Sequence, residues 1–304
     1  MKGEAGVIER AASLPVGLPK RTRRRMLTGL AGFARRKPLG ALSALIILAI
    51  IVMAFFAPLV DRYDPLIGRL PERLQGPSPA HWFGTDDTGR DVYSRVVHGA
   101  RGALYVGFLS VMIGVAAGSL LGLASGYLEG KTDLVIQRLV DSLQAFPPLV
   151  LALAVASVLG PSDNNSMLII GLILIPGAAR VVRGSTLSIK NNLYVEAARA
   201  VGAGTPRILF RHLLPNVFAP IIVLASVYLG SAILVAASLS FLGAGRSEPA
   251  PSWGLMLAGQ GKRYLELAPW MAVAPAVAIS LTVLSFNLLG DAIRDVLDPR
   301  LRGR

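Results

Sequence analysis

Glu196-Ala197-Ala198-Arg199-Ala200-Val201-Gly202, followed by Ala203-Gly204-Thr205-Pro206 and then by His212-Leu213-Leu214-Pro215, is a polar, glycine-broken stretch lodged between two long apolar runs. Glu-Ala-Ala opens a short helix of good formers, Gly202 and Gly204 stop it, and Thr205-Pro206 offers an N-cap and N1 pair for a second short helix. Two small helices standing in water beside a membrane read as a docking element for a partner rather than as a catalytic site.

The rest of the chain supplies the membrane. With 53% hydrophobic residues among 304 and a mean hydropathy of +0.57, a single soluble core would leave large apolar surfaces in water. A hydrocarbon layer of ~30 Å asks for ~20 apolar residues per helix. Runs of that kind extend over Leu39 to Ala57, Ala103 to Tyr127, Leu134 to Leu159, Met167 to Ala179, Leu213 to Leu242 and Ala268 to Leu289. The fold expected is therefore an all-α membrane protein with six transmembrane helices. The fourth run is short and is expected to continue past Arg180; Pro147-Pro148, Pro176 and Pro275 mark candidate kinks.

The formal charge of +13 is concentrated in Lys20 to Arg25 and Arg35 to Lys37, just ahead of the first run. That is the pattern of a positive-inside anchor, and it places both termini and the loop around Glu196 in the cytoplasm and the loop from Asp61 to Arg95 outside. No aromatic interleaving or nucleic-acid motif accompanies the basic tail, so anionic lipid headgroups, not nucleic acid, are its expected partner. The organisation expected is a basic tail (1–37), a first transmembrane helix with an external loop (38–100), a membrane core (101–294) that includes the segment 192–215, and a C-terminal tail (295–304).

Chemistry of other kinds finds little support. Cysteine is absent, and His81, His98 and His212 are scattered with no metal-ligand spacing, so neither a metal nor any other cofactor is expected on this chain. Gly126-Tyr127-Leu128-Glu129-Gly130-Lys131-Thr132 imitates a phosphate-binding loop, but it has three residues between its glycines where the loop needs four, and it follows an apolar helix rather than a strand. The few charges at membrane depth are Arg138 and Asp141, spaced to pair on one helix face, and Arg180 and Arg183. A coupling carboxylate of the sort a proton-driven transporter carries is missing from the spans, so the driving energy is expected from a partner.

The Glu196-to-Pro215 stretch resembles the EAA motif of ABC importer permeases, whose coupling helices lie in a groove of the ATPase subunit. That family has an apolar residue where this chain has His212, although its peptide-type members often carry His. Three further segments are similar to the dipeptide, oligopeptide and nickel branch, C-type permeases: His81-Trp82-Phe83-Gly84-Thr85-Asp86 with Gly89-Arg90-Asp91; Leu239-Ser240-Phe241-Leu242-Gly243 with Pro251-Ser252-Trp253-Gly254; and Asn287-Leu288-Leu289-Gly290-Asp291 with Leu297-Asp298-Pro299-Arg300. The resemblance implies a type I importer permease fold in a bacterial or archaeal plasma membrane. It also implies a sibling permease, two ATPase subunits, an external substrate-binding protein and alternating access. On that basis Glu196, Ala197, Ala198, Gly202, His212, Leu214 and Pro215 are the expected ATPase-coupling residues. Ala225, Ser226, Gly230 and Ser231 are candidates for the translocation path, and Asp86, Arg90, Asp91 and Trp253 for an external gate. Dipeptides, oligopeptides, nickel chelates and glutathione all remain open as substrates, and a passive channel or scaffold is the alternative of a different class.

Overall fold

The structure, a computed structural model, describes residues 34–35 and 37–297. Most of the expected basic tail and the end of the C-terminal signature lie outside the described residues. Among the described residues five helices are long and apolar enough to cross a membrane, and a sharply bent pair makes a sixth span.

Helix α1 (Pro38–Phe55) starts with proline in its first turn, where no N–H is needed. Gly40, Ser43, Ile47, Ile50 and Ala54 recur every three or four residues and form its buried stripe, while its leucines point outward. After a polar excursion, α2 (Val92–Leu128) runs for 37 residues, ~55 Å at 1.5 Å per residue, well beyond a hydrocarbon core. It begins eleven residues before the expected span because the Asp91 side chain accepts from the Ser94 backbone N–H at 2.8 Å and caps it. One continuous helix therefore passes through the expected boundary at residue 100.

The third expected span, Leu134 to Leu159, is not one helix. It divides into α3 (Gly130–Gln144) and α4 (Pro148–Leu159), bent by 86°. Pro147 and Pro148 lack the N–H groups that would continue the ladder, and each disfavours helical geometry in the residue before it. Only Val140 of α3 is buried, whereas α4 is apolar at every position but Ser157.

Helix α5 (Asp163–Ile189), capped by the Ser162 hydroxyl, continues past Arg180 as expected and lies along α2. Their seam is a ladder of glycines at every fourth position of α2: Gly114, Gly118, Gly122 and Gly126. A Cβ on Gly118 would come within 2.6 Å of the Ile175 carbonyl, and one on Gly122 within 2.5 Å of the Ala179 carbonyl. Backbone meets backbone here, which is how helices gain dispersion contacts where lipid removes the hydrophobic drive. Helix α6 (Leu193–Ala200) leads into a bend and then α7 (Leu214–Phe241). α7 packs on α8 (Trp270–Leu297) through a second close approach, at Gly230 and Gly290.

Candidate coupling hairpin and polar cap

The hairpin at residues 192–215 is built around one buried row. Val195 and Ala198 of α6 pack with Ile208, Leu213 and Val217 against Leu123 of α2 and Val182 of α5. Asn192 is the N-cap residue, so α6 opens at Leu193 and Glu196 sits inside its first turn, near the positive end of the dipole, rather than at its start. On the opposite face Leu193 and Val201 are 82% and 84% exposed, with exposed Ala197 between them at four-residue spacing: an apolar ridge with Glu196 beside it.

Gly202 ends α6 for a conformational reason. Its φ of +79° is left-handed, its N–H donates to the Arg199 carbonyl at 2.9 Å, and the Ala203 N–H donates to the Ala198 carbonyl at 3.0 Å, the paired bonds of a Schellman cap. Nothing lies within 4 Å of a Cβ at this position, so the open space around the turn belongs to solvent or a partner.

The second short helix expected from Thr205-Pro206 is not separate. Gly204, not Thr205, is the N-cap, and Thr205–Arg207 passes through a π-turn, Ile208–Leu213, straight into α7, giving a continuous 37-residue rod Thr205–Phe241. Pro215 has no N–H for the preceding turn, and the wider turn accommodates that loss. His212 and Leu214 are half-buried and Pro215 is exposed; the side chain that fills the seam is Leu213. Val195, Ile208 and Leu213 are the anchors that motif reading passed over.

Further ties hold the hairpin end of the bundle. The Arg199 guanidinium lies 5.1 Å over the Tyr127 ring, and its Nε donates to the Tyr127 hydroxyl at 3.3 Å. Asp133 receives a bidentate pair from Arg183 at 2.6 and 2.7 Å, Asp141 pairs with Arg180 at 2.6 Å, and Glu129 pairs with Lys190. Asp141 therefore reaches across to α5 instead of pairing with Arg138 on its own helix. These three rungs fasten the amphipathic α3 to the end of α5.

The imitation phosphate loop has another use for each of its parts. Gly126 is buried in the α2–α5 seam, and Glu129 and Gly130, both with φ +53°, turn the chain into α3. Lys131→Ala is expected to change stability by no more than ~0.5 kcal/mol, as for an exposed charge. Nucleotide-analogue binding to the purified chain should be undetectable with or without it; Lys131-dependent binding would contradict this.

At the other end of α2 lies a polar cap. The Asp86 carboxylate accepts from the Thr88 N–H and hydroxyl and from the Arg90 N–H at 2.7–2.9 Å, and pairs with Arg90 Nε at 2.8 Å. Asp91 takes the Ser94 N–H and hydroxyl on one oxygen and meets His81 Nδ1 at 2.9 Å on the other. Arg95, 2% exposed, donates to the Pro65 and Pro249 carbonyls at 2.9 and 3.3 Å and so staples two distant loops. Burial and the neighbouring Asp86 push the Asp87 carboxyl above the usual carboxylate range. Trp253 donates from Nε1 to the Val96 carbonyl at 2.9 Å and lies against Gly99, where a Cβ would come within 2.6 Å of its ring. Asp86, Arg90, Asp91 and Trp253 thus belong to one packed assembly around the start of α2.

The four candidate path residues do not share a face. Gly230 is turned toward Asn287 of α8 and Ser226 lies beside Gly290. Ala225 packs toward the α2–α5 core, and Ser231 lines a cavity of about 360 Å³ with Tyr228 and Gln144 beneath the α3–α4 bend.

Residues 118–303 match the family of binding-protein-dependent transport system inner membrane components. The chain belongs to that family. This permease is 42% identical over 268 residues to the dipeptide transport system permease protein DppC of Alkalihalophilus pseudofirmus, covering 88% of each chain. It is 46% identical over 270 residues to the glutathione transport system permease protein GsiD of Escherichia coli O6:K15:H31, covering 88% of this chain and 89% of that protein. Among solved structures, the inward-facing MetNI methionine ABC transporter matches with a TM-score of 0.55 at 20% identity, over 67% of the permease and 96% of that chain, which is a likeness of fold. The permease is thus a membrane-integral subunit of an ABC importer, of the fold expected from its sequence.

Proposed function

We propose that the permease moves short peptides, of the dipeptide-to-tripeptide class that includes glutathione, across a bacterial or archaeal plasma membrane. It does so beside a sibling permease, with two ATPase subunits on the hairpin side and a substrate-binding protein on the polar-cap side. The apolar ridge of Leu193, Ala197 and Val201 carries this reading. Exposed apolar side chains on a charged hairpin need a covering partner. The buried row behind the ridge ties that partner's movements to α2, α5 and α7 at once. Small Ala197 between two larger neighbours suits a ridge that slides into a groove.

The energy source then lies on the partner, and the permease contributes a conduit whose two ends alternate in access. The concentration of Lys and Arg just before α1 supports a cytoplasmic N-terminus, with the hairpin on the same side. The names of relatives at 42–46% identity support the peptide class. Proteoliposomes holding the complete transporter are expected to accumulate labelled dipeptide only with ATP inside the ATPase compartment and the binding protein opposite. Uptake that proceeds without ATP would reverse the proposal in favour of a passive channel.

A further inference from the structure

A cavity of about 620 Å³ opens beside the start of α2, bounded by the N-terminal end of α5 and the loop at 246–251. Its volume is in the range of pockets that hold small ligands, ~300–1,000 Å³. Its lining carries both charge signs, most of them already committed. His98 Nε2 meets Asp61 at 2.8 Å, Arg246 pairs with Asp163, and the Tyr105 hydroxyl donates to Asn164 Oδ1 at 3.0 Å.

What is left uncommitted forms a pattern. Arg101 is exposed at the cavity and takes no part in the ion pairs among described residues. Arg246 Nε and Nη2 both donate to Oδ2 of Asp163 and Nη1 donates to the Pro251 carbonyl at 3.3 Å, which leaves Oδ1 of Asp163 free as an acceptor. Asn164 is engaged through its oxygen, so its amide N–H groups remain available as donors. Gly102 holds this arrangement open, since a Cβ there would come within 3.2 Å of the Arg246 guanidinium.

A free cation, a free carboxylate oxygen and a neutral donor around one small cavity match the two ends and the amide of a zwitterionic short peptide. We propose that this cavity is a permease subsite for the peptide as it leaves the binding protein. Arg101 takes the terminal carboxylate in a charge-assisted pair, Asp163 Oδ1 takes the ammonium, and the Asn164 amide donates to a peptide carbonyl. Arg101 is the element that selects for a carboxylate, because Asp163 and Arg246 neutralise each other. This inference rests on the peptide reading above.

The test uses the complete transporter in proteoliposomes with saturating peptide-loaded binding protein, comparing wild type with R101A, R101Q and R101K. Losing a charge-assisted hydrogen bond is expected to lower peptide uptake by about tenfold in R101A and R101Q. R101K, which keeps the charge, should recover most of it. ATPase stimulation by the binding protein should stay at the wild-type level in all three, so that less peptide moves per ATP hydrolysed. Wild-type uptake in both R101A and R101Q would overturn the subsite. Loss of ATPase stimulation or of binding-protein affinity in these variants would also overturn it, by making Arg101 a contact for the binding protein. A wild-type transporter that carries no peptide would instead overturn the substrate class, independently of Arg101.

Discussion

Gly118→Leu is expected to reduce the recovery of folded permease from membranes by about tenfold, a fall of the kind that a stability loss of 1–2 kcal/mol or more produces. A Cβ at this position meets the Ala178 Cβ at 2.5 Å and the Ile175 carbonyl at 2.6 Å, and neither can rotate aside because both belong to the rigid surface of α5. The helices must separate, and overpacking of this kind costs ~1–3 kcal/mol at a single site. The loss spreads to Gly114, Gly122 and Gly126, whose own close approaches depend on the same separation. Gly184→Leu is the control: it lies on α5 as well, but nothing stands within 4 Å of its Cβ. Extraction in mild detergent followed by size-exclusion chromatography reads both, and equal recovery of the two variants would show that the ladder does not hold the bundle.

Ala197→Glu should leave that bundle intact and abolish its coupling. Ala197 is exposed between Leu193 and Val201, so the permease itself does not meet the new side chain. On the docking proposed above, a carboxylate here would be buried against the ATPase without a partner, and the loss of a central interface contact of ~2 kcal/mol weakens association by about 30-fold. Uptake and binding-protein-stimulated ATP hydrolysis should fall together, with normal recovery of the permease. Retained stimulation would place the ATPase contact elsewhere.

Much of this architecture could be read from the chain. Apolar length located the middle of five long helices but not all their ends, since α2 begins eleven residues before its apolar run and α5 ends ten residues after its own. Gly202 signalled its turn because only a residue free to adopt positive φ closes a Schellman cap cheaply. The α3–α4 bend was less legible, since hydropathy over Leu134 to Leu159 averages an amphipathic helix with an apolar one; Pro147-Pro148 carried the decisive information. The glycine ladder stood in the sequence at four-residue spacing but inside a run already explained as a span. The pairing of Asp141 with Arg180, rather than with Arg138, was beyond sequence reach because it depends on which helix α3 lies against. Within the hairpin the motif marked Glu196 and Gly202, whereas the division of α6 into a buried row and an exposed ridge needed the positions of α2 and α5.

The absence of native cysteine makes one measurement direct. With cysteine placed at Ala197, and in a separate variant at Asp87 in the polar cap, the assembled transporter can be treated with a short bifunctional thiol reagent and with a membrane-impermeant label added from outside. Position 197 is expected to cross-link to an ATPase subunit, with a yield that changes when ATP is added, and to resist the external label, while position 87 takes the label and reaches no ATPase. External labelling at position 197, or cross-linking of the ATPase to position 87, would contradict the assignment of the Leu193–Val201 ridge as the place where ATP-driven movement enters the membrane.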